Sequence, residues 1–478
     1  MSLRANYLAG TGSAPAERVS AFMARDVVDE EIVESRDALA AWFEAGCKRT
    51  DPLRVGTEHE KIPFYREGLA PVPYEGERGI AALLEGVNAR LGWERIEDGG
   101  RLIGLYDAAG GGAISLEPGG QFELSGAPLE TAHQTAVELE RHLAVTRAVG
   151  NSLGMGFLAL GMSPKWTLAE TPTMPKSRYG IMKRYMPKVG ARGLDMMFRT
   201  STVQANLDYR SEADMVAKMR AGIALQPAIT ALFANSPFTD GKLNGFLSMR
   251  SEIWRHTDAD RTGMLPFVFE PGMGFERYVD YALDVPLYFL KRGSTYVDVA
   301  GASFRHLLTG KLAAAPGERA TMSDWANHLS TIFPEVRLKR YLEMRGADVG
   351  PPERIAALSA LMIGLYYDAE ALEAAQDLVR EWSAEDRQKL RDDAPWLGLA
   401  TKVRGRDLRS VATEMLAIAR GGLGRRARLN ERGEDETVWL APLEAIAKSG
   451  RSPAHEWIER YLGPWKRSVD PAFNEAVF

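Results

Sequence analysis

On a β-strand, residues two apart share a face, so Glu58 and Glu60 in Val55-Gly56-Thr57-Glu58-His59-Glu60-Lys61 point the same way. Neighbouring carboxylates repel, and a buried pair needs a cation or a shared proton. A second stretch, Glu117-Pro118-Gly119-Gly120-Gln121-Phe122-Glu123-Leu124, sets Gln121 and Glu123 on one face and Phe122 and Leu124 on the other. A third, residues 200–208, presents Thr202, Gln204, Asn206 and Asp208 on one face and Val203, Ala205 and Leu207 on the other. In one sheet these strands would form an acidic trough lined by Glu58, Glu60, Glu117 and Glu123. Oxygen-only ligands select hard cations, magnesium or manganese, and magnesium leaves positions that substrate phosphates can fill. Any one of the strands alone reads more simply as an exposed sheet face. The three together point to metal-assisted phosphate chemistry.

Phosphoryl transfer also needs positive groups on the phosphates. Lys176, Arg178, Lys183, Arg184 and Lys188 crowd residues 171–193, a stretch rich in Pro and Gly that reads as a long irregular loop. Arg250 stands near Trp254, and an arginine fork suits a substrate carboxylate. No Walker loop occurs. Gly154-Met155-Gly156 follows a helix and opens a strand, the reverse of the dinucleotide fingerprint. His59-Glu60 lacks the second histidine of a zinc-protease helix.

The elements that must position these groups show in the periodicity. Apolar residues at helical spacing mark residues 29–48, 79–91 and 130–149. Alternation marks strands at 54–61, in 113–125 on either side of the Pro118-Gly119-Gly120 turn, and at 200–208; an apolar run suggests another at 155–162. Ser211 opens a helix expected to reach about Phe233, disturbed at Pro227. Residues 285–289 and 295–299 are further strand candidates, and the last 150 residues read as mostly helical. Paired strands interrupted by helices favour α+β with an antiparallel sheet. Of the 478 residues, 45% are hydrophobic and 26% charged, an ordinary globular balance, and the net charge of -5 gives no reason to expect nucleic acid. The longest near-apolar run, residues 355–367, is too short to span a bilayer. One cysteine, Cys47, excludes an intramolecular disulfide; with no signal peptide visible, the expected location is cytoplasmic.

Residues 55–61, 115–127, 187–208 and 231–261 together resemble the plant-type glutamate–cysteine ligases, also found in many proteobacteria. The resemblance continues through Tyr278-Val279-Asp280-Tyr281, Ile332-Phe333-Pro334-Glu335-Val336-Arg337 and Val469-Asp470-Pro471, and so spans about residue 28 to the end. It implies a glutamine synthetase-like α+β fold, a curved antiparallel sheet forming a funnel with helices outside. It implies one catalytic domain over residues 28–478 after a flexible segment, 1–27, although length alone would suggest two or three domains. The implied reaction uses ATP to phosphorylate the γ-carboxylate of glutamate, and the amine of cysteine then displaces phosphate to give γ-glutamylcysteine. By resemblance, Glu58, Glu60, Glu117, Glu123, Gln204 and Asp298 are metal ligands for Mg2+ or Mn2+. Arg178 and Arg250 bind glutamate or the transferred phosphate; Thr202, Asn206, Trp254 and Tyr288 line the amino-acid pockets. The partners are ATP, glutamate and cysteine, with no membrane or nucleic acid, and the chain is a monomer or homodimer. The disulfide switch of some plant members has no counterpart around Val299 and Ala314, where no cysteine stands. A γ-glutamyl ligase with another amine acceptor is the alternative, and a non-catalytic relative would be expected to have lost the trough carboxylates.

Overall fold

The computed structural model describes residues 29–478; the flexible segment expected at 1–27 lies outside them. Its frame is a nine-stranded sheet. The strands are β1 (Val55–Tyr65), β2 (Glu94–Asp98), β3 (Arg101–Tyr106), β4 (Ala113–Leu116), β5 (Phe122–Ser125), β6 (Met155–Leu158), β7 (Thr202–Leu207), β8 (Val336–Leu338) and β9 (Leu342–Asp348). They run β8-β9-β7-β1-β5-β4-β3-β2, with β6 also paired to β1. Every pairing is antiparallel. Segments nearly 300 residues apart thus share one sheet, so the fold depends on contacts distant in sequence. The architecture is α+β, as expected, a large antiparallel sheet surrounded by helices.

The surrounding helices include α1 (Ile80–Leu91), α2 (Ala132–Ser152), α3 (Ser177–Val189), α4 (Glu212–Phe233), α5 (Met249–Arg255), α6 (Pro352–Tyr366) and α7 (Leu408–Arg426). The caps follow the sequence. Thr131 and Ser211 accept the N–H of Gln134 and Asp214 at the starts of α2 and α4. Helix α4 runs through Pro227 to Phe233, and its second half is buried on every side, so packing holds it where propensity would break it. On the back of the sheet, Thr57 Oγ1 lies 2.7 Å from Ser359 Oγ of α6. The His59 ring meets His142 of α2 edge-on at 5.5 Å.

Two sequence expectations need correction, and a third, the mostly helical end of the chain, holds with a strand pair added to the main sheet. Residues 171–193 contain a helix, α3, with Tyr179, Met182, Tyr185 and Met186 buried at helical spacing; Pro187 sits in its last turn without stopping it. The strand expected at 285–289 runs instead over Phe289–Arg292, paired with Thr295–Asp298 in a separate two-stranded unit. The mostly helical end of the chain carries the β8–β9 hairpin, which supplies one edge of the main sheet. The strands β2 and β3 were not anticipated either; Gly99 and Gly100 form the tight turn between them.

Helices α6 and α7 cross backbone to backbone. A Cβ on Gly364 would lie 2.4 Å from the Ala419 carbonyl, and one on Gly422 2.1 Å from the Gly364 carbonyl. Overpacking of this kind costs about 1–3 kcal/mol. We therefore expect Gly422→Ala to lower the urea unfolding midpoint, whereas Gly424→Ala, on the open side of α7, leaves it unchanged or raises it, since alanine is the better helix former. Equal midpoints for the two variants would contradict the close crossing.

Candidate active site

One pocket gathers most of the residues singled out in the sequence. Strand register decides it. Glu58 of β1 lies between Ser125 of β5 and Gln204 of β7, and Glu60 lies opposite Glu123. Glu123 is in turn opposite Ser115 of β4, whose hydroxyl donates to Glu123 Oε2 at 2.7 Å. Glu58, Glu60 and Glu123 are each less than 10% exposed. Glu117 comes to the same pocket from the β4–β5 turn. That turn is fixed at both ends. Gly120 takes φ 90°, and Gly119 presses so close to the Phe198 carbonyl that a Cβ there would lie 2.1 Å from the oxygen. The Gln121 amide bridges the turn to the start of β7, accepting from Gly119 N and donating to Thr200 O.

The acidic wall is electrostatically strained. Burial, then repulsion from Glu343 and Glu123, pushes the Glu58 carboxyl up to about 8. Burial, then Glu123 and Glu117, raises Glu60 well above the carboxylate range, and burial with Glu117 raises Glu123. Few donors offset this: Asn206 Nδ2 reaches Glu58 Oε1 at 2.7 Å, and Thr202 N reaches Glu60 Oε2 at 3.0 Å.

The rest of the pocket lining is strongly cationic, and sequence reasoning missed most of it. Arg337, Lys339 and Arg345, from the β8–β9 hairpin, join Arg250 of α5 and Arg178 of α3 around the pocket. Buried Glu343 knits the hairpin cations together, accepting from Arg337 Nη2 at 2.7 Å and Arg345 Nη1 at 2.6 Å. Burial alone would raise the Glu343 carboxyl, but Arg337, Arg345 and Lys339 hold it far below the usual range. Burial and the nearby Arg337 push the Lys339 ammonium down to about 8. A bulge between Met344 and Ala347 interrupts the β9–β7 ladder, and the Arg345 carbonyl there accepts from Arg250 Nη2 at 2.9 Å. The signal was present in the sequence: in 336–345 a charge alternates with an apolar residue at Val336-Arg337-Leu338-Lys339 and Leu342-Glu343-Met344-Arg345.

Of the expected site residues, Glu58, Glu60, Glu117, Glu123, Gln204, Thr202, Arg178, Arg250 and Trp254 border this pocket. Three do not. Asp298 is on the separate two-stranded unit, half exposed and paired with Arg184 at 2.8 Å, away from the carboxylates it was expected to join. Tyr288 is buried elsewhere, its ring 3.8 Å from the Arg261 guanidinium and its hydroxyl against Met186; its neighbour Phe289 reaches the pocket, a shift of one residue in parity. Asn206 holds Glu58 without bordering the cavity.

The carboxylate cluster suits a hard cation: buried oxygens on raised carboxyls, with the Gln204 amide beside them. Among the described residues, no three His, Cys, Asp or Glu side chains form a ready-made metal cage.

Comparison with known proteins settles the family. Residues 54–475 match the model of glutamate–cysteine ligase family 2. The chain belongs to that family. It is an enzyme of the ligase class. Its relatives include the chloroplastic glutamate–cysteine ligase of Arabidopsis thaliana, 53% identical over 93% of this chain and 83% of the relative. Another is the chloroplastic glutamate–cysteine ligase B of Oryza sativa subsp. japonica, 52% identical over 93% and 87%. The glutamate–cysteine ligase of Francisella tularensis, solved in complex with AMP, has the same fold, with a TM-score of 0.53 at 14% identity over 90% of this chain and 89% of that one. These relatives overturn the cytoplasmic location expected from the sequence, since the plant ligases are named as chloroplastic. A lone cysteine and an unremarkable N-terminal composition bear on redox state and not on compartment.

The strained carboxylates give this ligase a signed pH dependence. Glu58 binds its proton more tightly folded, at about 8, than an unfolded glutamate does at about 4.5. Between those values this group is more protonated in the folded state, so its contribution to metal-free stability falls as pH rises. His59 and His142, held low by burial, and Lys61, pushed down to about 7, contribute the opposite slope, so the comparison is between variants: in EDTA the stability of Glu58→Gln relative to wild type is expected to rise from pH 5 to pH 8.5. A difference between variant and wild type that stays constant over this range would remove the case for strain.

Proposed function

We propose that the pocket binds ATP, L-glutamate and L-cysteine and forms γ-glutamylcysteine through γ-glutamyl phosphate. Family membership supports the two amino acids, and one structural observation supports the chemistry: raised carboxyls and a cluster of arginines and lysine line a single pocket. Neither set alone would hold a polyphosphate beside a carboxylate. Together they accept a metal–nucleotide and the anionic groups of the reacting partners.

A glutamate γ-carboxylate is a poor electrophile. Its oxygen attacks the γ-phosphorus of ATP, ADP leaves, and the resulting acyl phosphate carries a good leaving group. The cysteine amine, after losing a proton, attacks the acyl carbon, and inorganic phosphate departs. Arg250 and Arg345, fixed relative to each other by the Arg250–Arg345 backbone contact, are placed to bind the γ-carboxylate and the phosphoryl oxygens as they gain charge. Lys339, softened to about 8 and 3.3 Å from the Tyr341 hydroxyl, adds a cation whose charge depends on what is bound beside it. Arg178 reaches in from α3, lying over the Tyr179 ring, whose hydroxyl is anchored on Leu116 O. Trp254 and Phe333 supply a half-apolar flank for a side chain.

Glu58, Glu60, Glu117 and Glu123 are the residues that would hold Mg2+, with Gln204 beside them; Mn2+ has the same preference for oxygen. When bound, the metal neutralises the ATP phosphates and orients them. The reading of residues 28–478 as one catalytic domain is supported by the strand order, which inserts β9 between β7 and β8 and so builds the pocket from both halves of the chain.

The test is ADP release with Mg-ATP and glutamate, with and without cysteine. Cysteine is expected to stimulate release strongly, and Glu123→Gln to cut it by about 10³-fold or more while the far-ultraviolet circular dichroism stays unchanged. Stimulation by another amine, with none by cysteine, would replace the acceptor. Full activity in both Glu58→Gln and Glu123→Gln would remove the metal assignment. Arg345→Met is expected to lose about 10²-fold in kcat/KM, since it deletes a charge aimed at the reacting groups.

A further inference from the structure

A second cleft, of about 640 Å³, shares no residue with the active-site pocket. It opens where the start of α6 meets the helices Ala441–Ser449 and Pro453–Leu462 and residues 475–477. At its wall Arg354 is 7% exposed. The Arg354 Nη1 is buried with no hydrogen-bond partner, and among the described residues the guanidinium makes no ion pair. Burial pushes it down to about 10 against the pull of Glu353, Asp348 and Glu456. It is packed in place over Gly350, where an added Cβ would meet Arg354 Cζ at 2.7 Å. A buried guanidinium with open donors is a poor structural element and a good carboxylate receptor.

The surroundings narrow the ligand. Two helices start at this cleft without a side-chain cap, after Pro351 and after Ser452, so the local field favours an anion. The Ser452 hydroxyl is engaged with His455 Nδ1. One side is apolar, with Ile446, Pro442 and the Trp457 ring, whose N–H is taken by Asn235 Oδ1 at 2.7 Å. The rim is acidic: Glu353 is exposed, Glu456 and Glu475 share Arg460, and Glu459 pairs with Arg451. Glu353 has no ion pair among the described residues and is the rim carboxylate most open to a cation carried by the ligand, while Arg451 also lines the cleft.

We propose that this cleft binds a zwitterionic α-amino acid with an apolar side chain, its carboxylate on Arg354, its ammonium toward Glu353 and Glu456, and its side chain against Ile446 and Trp457. The site is independent of the active-site reading, because the two pockets share no residue.

Isothermal titration of the full chain with L-leucine tests it, with L-leucinamide and inorganic phosphate as comparison probes. Saturable one-to-one binding of L-leucine is expected, with both comparison probes at least about tenfold weaker, the scale of one charge-assisted contact. Arg354→Met is expected to weaken L-leucine by at least the same factor. Ile446→Asp, at the half-exposed apolar end, should do likewise should Arg354→Met fail to fold. Absence of saturable L-leucine binding, equal binding of L-leucinamide or phosphate, or unchanged binding by either folded variant would each overturn the proposal.

Discussion

The structure is organised around a repulsion. Glu58, Glu60 and Glu123 lie on adjacent strands of one sheet, buried, in registers that bring them side by side. Carboxylates so placed would normally acquire an arginine or lysine neighbour or be replaced by apolar residues. Here the nearest help is neutral: an asparagine amide on Glu58, a backbone N–H on Glu60 and a serine hydroxyl on Glu123. Those contacts orient the oxygens, and the raised carboxyls keep protons that an arriving cation would displace. The wall is therefore pre-organised for a cation that arrives with the substrate, and the free protein holds it in a costly state.

The back of the sheet shows how that state is tolerated. Strands β5 and β7 turn Phe122, Leu124, Val203, Ala205 and Leu207 into the core, all buried. Strand β1 does not follow this pattern. Its back face carries Thr57, His59 and Lys61, polar and fully enclosed. Burial pushes the Lys61 ammonium down to about 7, and Lys61 Nζ sits 3.1 Å from His59 Nδ1 with the Phe478 ring nearby. Burial likewise lowers His59 and His142 well below the ordinary imidazole value. The central strand thus has titratable groups on both faces. The acidic face looks into the pocket, while the basic face is sealed under α2 and the chain end.

Side-chain direction along a strand is local information, and it was legible in the sequence. Period-two alternation carried the faces of β1, β5 and β7 and hence the carboxylates. The pairing partner is not local. Nothing near Glu343 in sequence says that β9 joins β7, yet that pairing brings Arg337, Lys339 and Arg345 to the pocket. Asp298 failed for the same reason: its strand has the right alternation but belongs to another sheet. Tyr288 failed by one residue of parity, which in a strand reverses the face. Helix α3 was hidden because Pro and Gly signalled a loop, while the buried Tyr179, Met182 and Tyr185, spaced three apart, carried the helical period. The family resemblance supplied what local reading could not, the identity of the substrates.

Acidic and cationic side chains line the same pocket, and the two hairpin arginines pair with Glu343. Fully buried between them, it accepts from each at 2.6–2.7 Å and is held ionised by both. Arg250 is restrained in the same way through the Arg345 carbonyl and the serine-lined Asp348 cluster, where Ser236 and Ser248 donate to the carboxylate and Arg250 N donates to Ser236 Oγ. Each cation thus has a local tether that fixes its position and leaves part of its donor set facing the pocket. A single acidic residue thus fixes two hairpin arginines at a pocket that also holds the carboxylates, the combination required by a ligand carrying both a bound cation and a cluster of anionic oxygens.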